Sequence, residues 1–196
     1  MATGKNSRYI IGGVILLILI VYVVSAYNTL VRKQEKVKQQ WSEVENTYQR
    51  RLDLIPNLVN VVKGVSGFEQ STLEKIAEAR SNALAGLSNE EISAANYHKQ
   101  QSLQDSLAAA TNRMVILIEK YPVLKGTSAY AGLQTQLEGT ERRIRIARND
   151  FNASVASYNR SVRNFPSNVV ARVFGFGTRE GFESVPGSDQ AVEIKF

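Results

Sequence analysis

From Tyr9 to Tyr27 the sequence reads YIIGGVILLILIVYVVSAY, without one charged residue. That is close to the roughly 20 apolar residues a helix needs to cross the hydrocarbon core of a bilayer. Nothing in the run is polar enough to make the wet face of a soluble helix. It therefore reads as a transmembrane helix, with Tyr9, Tyr22 and Tyr27 toward its ends, where aromatic rings favour the interface. Val24-Ser25-Ala26 resembles a signal-peptidase site, but the run is long for a cleaved signal and helical periodicity continues through it. A retained, single-pass anchor is the expectation.

Flanking charge bears on orientation. Lys5 and Arg8 precede the run, and Arg32, Lys33, Lys36 and Lys38 follow it. The larger cluster leans the bulk of the chain toward the cytoplasm. A positive start before an apolar run also suits an exported domain on an uncleaved anchor, so the periplasm stays open.

The chain has 196 residues, leaving about 165 beyond the run, enough for one domain with a core. It has no Cys and one His, which excludes disulfides, thiolate metal sites and multi-histidine centres. Net charge is +6 and the sequence pI is 9.6, a balance suited to nucleic acid or anionic lipid. The charges are dispersed, however, and no basic stripe with interleaved aromatics occurs, so nucleic acid is not an expected partner.

Periodicity beyond the anchor is helical. Four Pro occur, at 56, 122, 166 and 186, and three of them punctuate long runs. The first run continues from the anchor through Tyr27, Leu30, Gln34, Val37, Trp41, Val44, Tyr48 and Ile55, with Arg51 in the same seam. Pro56 is expected to end or kink it. A second helix is expected over 56–87, weakened by Gly64 and Gly67. A third is expected from the capping box Ser88-Asn89-Glu90-Glu91, with Ile92, Ala95, Leu103, Leu107, Ala110, Met114, Leu117 and Tyr121 inward. Thr127 or Ser128 caps the fourth, whose seam is Tyr130, Leu133, Leu137, Ile144, Ala147, Phe151, Val155, Tyr158, Val162 and Phe165. Asn164-Phe165-Pro166 closes it.

The soluble lengths come to about 42, 46, 50 and 55 Å. Similar lengths and short turns predict an all-α, antiparallel up-down-up-down bundle continuous with the anchor. The expected division is a flank over 1–8, the transmembrane helix over 9–27, the bundle over 28–176 and a short non-helical tail over 177–196, loose or briefly extended. Four helices would return the chain to the bilayer near Phe165. The segment beyond holds Val169, Val170, Val173, Phe174 and Phe176, with Arg163 and Arg172 beside it. Such a segment either docks on the headgroup region or packs back on the bundle end.

Catalytic chemistry finds little support. His98 lies among polar residues and reads as solvent-facing. No phosphate loop and no nucleophile with an identifiable base occur. No catalytic residue, cofactor or metal is expected. Two polar clusters stand out, one with Arg50, Arg51 and Asp53, the other with Glu138, Glu141, Arg142, Arg145 and Arg148. A seam charge is costly unless paired, so Arg51 is expected to pair with Glu138 or Glu141 and set helix register. On that reading Arg51→Ala destabilises, and charge-swapped pairs restore stability.

The order of an N-terminal span, YNTLV, ENTYQRRLDLIPNLV, EKIAEAR, YPVLKG, LEGTERRIRIARNDFN and NRSVRNFPSNVVARVFGF resembles the bacterial LemA family over nearly the whole chain. The resemblance implies a membrane-anchored protein of long antiparallel helices, without an established activity or cofactor. Arg50, Arg51, Asp53, Asn57, Glu138, Glu141, Arg142 and Arg145 look like motif positions to which the family attaches no chemical role. The expected function is a non-enzymatic scaffold at the bacterial inner membrane, with the bilayer, further copies or other membrane proteins as partners. The alternative is membrane remodelling through the segment after Pro166.

Overall fold

The first helix does not stop at Pro56. In the computed structural model, which describes residues 3–64, 69–87 and 93–182, α1 runs unbroken from Thr3 to Lys63, about 92 Å at 1.5 Å per residue. Proline has no N–H to give the carbonyl four residues back, which belongs to Leu52. That carbonyl instead accepts from Arg80 Nε at 3.0 Å. Leu52, Ile55, Leu58 and Val62 on either side of the proline are buried. Their burial and the lateral hydrogen bond offset a penalty of about 3 kcal/mol for proline inside a helix. The expected boundary at Pro56 is thus corrected: α1 reaches Lys63, and α2 spans only Gln70–Gly86.

The expected cap over Ser88 to Glu91 lies outside the described residues. Helix α3 spans Ala94–Ile118, with Ser93 extended and its hydroxyl accepting from the Asn96 N–H at 3.3 Å. A short α4 spans Pro122–Lys125, with Pro122 in its first turn. Thr127 caps α5, Ser128–Arg163, by accepting from the Tyr130 N–H. After Asn164, α6 spans Ser167–Val173. Every regular element among the described residues is a helix, and none is a strand.

The apolar start of α1 packs against little. From Tyr9 to Val21 its large side chains are more than half exposed on every side. The segment is long and apolar enough to cross a membrane, with a mean hydropathy of 2.7 over its most apolar stretch.

Beyond it, α1 lies along α5. Lys33 donates to the Ser157 carbonyl and the Ser161 hydroxyl, Tyr48 meets Arg148, and Arg51 meets Glu141. Rising along α1 therefore means descending along α5. Three apolar clusters follow in height. Ala26 and Leu30 join Val170 and Ala171 lowest. Trp41, Tyr97, Phe151 and Phe182 join above them. Leu58, Ile76, Met114, Leu124 and Tyr130 form the far end. The similar lengths expected from sequence are corrected: α2 has 17 residues, α3 25 and α5 36. Tyr97, in the first turn of α3, packs on Trp41 at 4.6 Å between ring centres, so α3 starts partway up α1. Among α2, α3 and α5, it is α5 that reaches down to the level of Leu30.

Residues 178–182, at the start of the expected tail, belong to no helix or strand but are tied to α5. Asn159 pairs with both the N–H and the carbonyl of Arg179, and Asn152 does the same with Phe182. Seven helical residues span about 10.5 Å, and three extended residues span about 10 Å. The two asparagines therefore match the strand spacing. Phe182 enters the aromatic cluster beside Trp41 and Phe151.

Candidate functional site

A stack of polar side chains runs through the α1, α3 and α5 contact. It begins with the seam of α1, where Val44, Tyr48, Arg51 and Ile55 recur at helical spacing and are all buried. Arg51 is 3% exposed. Its Nη1 donates to the main-chain carbonyl of Gln104 at 3.0 Å and to Gln104 Oε1 at 3.1 Å. Its Nη2 lies 2.5 Å from both carboxylate oxygens of Glu141. One buried cation thus ties α1 to α3 and α5 together.

One turn below, Arg148 Nε donates to the Tyr48 hydroxyl at 2.8 Å, and its Nη2 meets Asp105 at 3.0 Å. Its guanidinium also lies over the rings of Tyr48 and Phe182, at 5.5 and 5.3 Å. Burial opposes the charge on Arg148, but Tyr48 and Asp105 outweigh it and raise its pKa. Burial pushes the Tyr48 hydroxyl up, against the lowering influence of Arg148. Another turn down, burial pushes the Glu45 carboxyl up, with hydrogen bonds from Trp41 and Gln100 pulling the other way.

The structure brings together only some residues of the two expected clusters. Arg51 and Glu141 meet. Glu138 instead accepts from Gln134, and Asp53 accepts from Gln49, each within its own helix. Arg50, Asn57, Arg142 and Arg145 are exposed. His98 is partly buried rather than solvent-facing. Two partners of the stack, Gln100 and Gln104, escaped the sequence reading, which placed Leu103 and Ala110 in the seam of α3. The buried positions are Tyr97, Gln100, Gln104, Leu107, Thr111, Met114 and Ile118, an unbroken 3-4 spacing that was visible once polar residues were admitted to it. Ala95 is exposed.

The segment after Pro166 divides. Val170 is buried, and Phe176 is partly buried against Ala26 and Leu30. Val169, Val173 and Phe174 are more than half exposed, and Arg172 is exposed. Phe165, expected in the α5 seam, is 82% exposed because α5 ends at Arg163.

The family model described as the LemA family matches residues 40–196. The chain belongs to the LemA family. Its relatives include magnetosome protein MamQ 2 of Paramagnetospirillum magneticum, 26% identical, with 85% of this chain and 68% of the relative covered. Magnetosome protein MamQ of Magnetospirillum gryphiswaldense is 28% identical over the same shares. Protein LemA of Metamycoplasma hominis is 28% identical over 87% of this chain and 75% of its own length. In this LemA-family chain the matched region starts just before Trp41, so it takes in the whole polar stack and leaves out the apolar segment. Arg51 holds Glu141 and Arg148 holds Asp105, and among the described residues no three His, Asp or Glu gather to hold a metal ion. The arrangement links α1, α3 and α5 through the buried Arg51.

Proposed function

We propose that this protein is a non-enzymatic, membrane-anchored scaffold of the bacterial inner membrane. On this reading α1 crosses the bilayer once, and the helices beyond it form an up-down-up-down bundle that self-associates or recruits other membrane proteins. The observation that carries the reading is the continuity of α1. One helix holds the exposed apolar segment from Tyr9 and the buried seam from Leu30 to Val62. A stiff mount of that kind suits presentation of a surface, and the polar stack serves register rather than reaction. The charges after the segment, at Arg32, Lys33, Lys36 and Lys38, favour a cytoplasmic bundle.

The test is crosslinking of the full chain in cells, with size measurement after detergent extraction. Oligomers or defined heteromers are expected. A strict monomer that captures no membrane protein overturns the scaffold. A second reading, membrane organisation through the segment after Pro166, is favoured by the exposed apolar side chains that α6 holds beside Tyr27.

A further inference from the structure

Helix α6 has one side committed and one side bare. Val170 and Ala171 are buried against Ala26 and Leu30, with Val23 and Val162 adjoining. The Tyr27 ring takes Phe174 and Phe176 edge-on, at 5.0 and 5.6 Å between ring centres. These contacts fix α6 at the height where the apolar segment of α1 ends. The bare side holds Val169 and Val173, both more than half exposed and one helical turn apart. Phe165, just before the helix, is 82% exposed, and Phe174, which caps its end, stays half exposed beyond its contact with Tyr27. Large exposed apolar side chains on α2 to α5, namely Leu84, Ile116, Val123 and Ile146, sit on different elements and form no comparable group.

Charge around this patch has one sign. From Phe151 to Arg179 the chain carries Arg160, Arg163, Arg172 and Arg179 and no acidic residue. Arg163, which ends α5, and Arg172, in the last turn of α6, are exposed.

We propose that α6 and Phe165 make a second contact with the bilayer, entering the boundary between headgroups and acyl chains of the leaflet next to the bundle. Phe165, Val169, Val173 and Phe174 are the apolar insertion, and Arg163 and Arg172 meet anionic lipid phosphates. The occupant of the patch is lipid because the patch is continuous with the segment that lipid already covers. Tyr27 belongs to that segment and takes Phe174, the residue that ends α6, while Val23 adjoins the cluster that Val170 and Ala171 join. Interfacial helices bind through this pairing of apolar area with basic flanks. The inference rests on the reading that α1 spans the membrane.

The chain has no Cys, so single cysteines can be labelled cleanly with an environment-sensitive fluorophore. The full chain is reconstituted in phosphatidylethanolamine–phosphatidylglycerol vesicles, with probes placed by Val169→Cys, Val173→Cys, Leu17→Cys and Val123→Cys. Val123 on α4 is exposed at the far end and serves as the water reference. Probes at 169 and 173 are expected to be blue-shifted, several-fold brighter than the probe at 123, and quenched by nitroxide on the upper acyl chain. Arg163→Gln with Arg172→Gln is expected to weaken that quenching. Should the probe at 17 be quenched while those at 169 and 173 match the one at 123, the second contact is overturned and the anchor stands. A probe at 17 insensitive to lipid nitroxide overturns the anchor itself. Shielding at 169 and 173 that ignores lipid nitroxide and disappears on dilution into excess lipid assigns the patch to a second protein copy, which also overturns the proposal.

Discussion

Arg51 reaches Glu141 across ninety residues of sequence, placing one guanidinium nitrogen 2.5 Å from both oxygens of a carboxylate that is itself 45% exposed. The two ends of this pair are unequal. Glu141 keeps access to water, whereas Arg51 is buried and also serves the main-chain carbonyl of Gln104.

Removing each partner should therefore differ in effect. Arg51→Ala takes the donor from Gln104 Oε1 and Glu141 and loses the packing of the buried side chain, and should destabilise by about 2–3 kcal/mol. Glu141→Gln keeps an acceptor at the half-open end but removes the counter-charge of buried Arg51, and should cost less than Arg51→Ala, about 1–2 kcal/mol. The swap Arg51→Glu with Glu141→Arg should not restore stability, contrary to the sequence-based expectation, because glutamate has no donor for the Gln104 carbonyl. Thermal melts of the four proteins in detergent decide the order.

The hydrogen bond from Arg80 to the Leu52 carbonyl exists because Pro56 leaves that carbonyl free. Arg80→Met should lower stability by about 1 kcal/mol in the native chain. In a Pro56→Ala background the alanine N–H takes the carbonyl, and the same substitution should cost distinctly less. Equal costs in the two backgrounds would sink the link.

Glu45 gives a pH dependence. Burial holds its carboxyl above the ordinary carboxylate range in the folded protein. A raised folded pKa means that folding favours the protonated form. Its contribution is fully present below the unfolded pKa and is lost as pH rises through the folded value. Glu45→Gln should thus raise the melting temperature at neutral pH, with the gain vanishing in acid. A gain that persists at low pH would contradict this.

The asparagine pair that holds residues 178–182 is open to protease mapping. Asn152→Ala with Asn159→Ala removes both two-point contacts to Arg179 and Phe182. Trypsin cleavage after Arg179 should accelerate on the order of tenfold, equivalent to about 1.4 kcal/mol of local opening. Phe182→Ala should accelerate it further by emptying the aromatic socket. Cleavage at the wild-type rate in the double variant would show that the aromatic contact alone holds the segment.

Much of this organisation was written locally and could be read. The apolar segment, the Thr127 cap, the α5 seam up to Val162 and the exit at Asn164 all follow from spacing and capping chemistry within a few turns. Pro56 misled because its usual effect is local while its compensation comes from Arg80 on another helix. Gln100 and Gln104 were passed over because an apolar search discards polar residues, although their spacing placed them in the seam. Asn152 and Asn159 carry no local signal. Their role depends on a segment that arrives 20 and 30 residues later.

The unbroken passage of α1 from apolar segment to bundle has a consequence for encounters within the membrane plane. A domain on a flexible linker samples all headings, and each meeting must find the right pair of faces. If α1 crosses the bilayer as proposed, the helices packed on it have no swivel, because the helix that would turn them is the helix held in lipid. Two copies approaching one another differ mainly in heading about a shared axis and in separation. Much of the rotational freedom that association ordinarily removes is already absent. Under the proposed scaffold function, a modest contact surface would then be enough for assembly, and the same surface freed from α1 should associate far more weakly in solution.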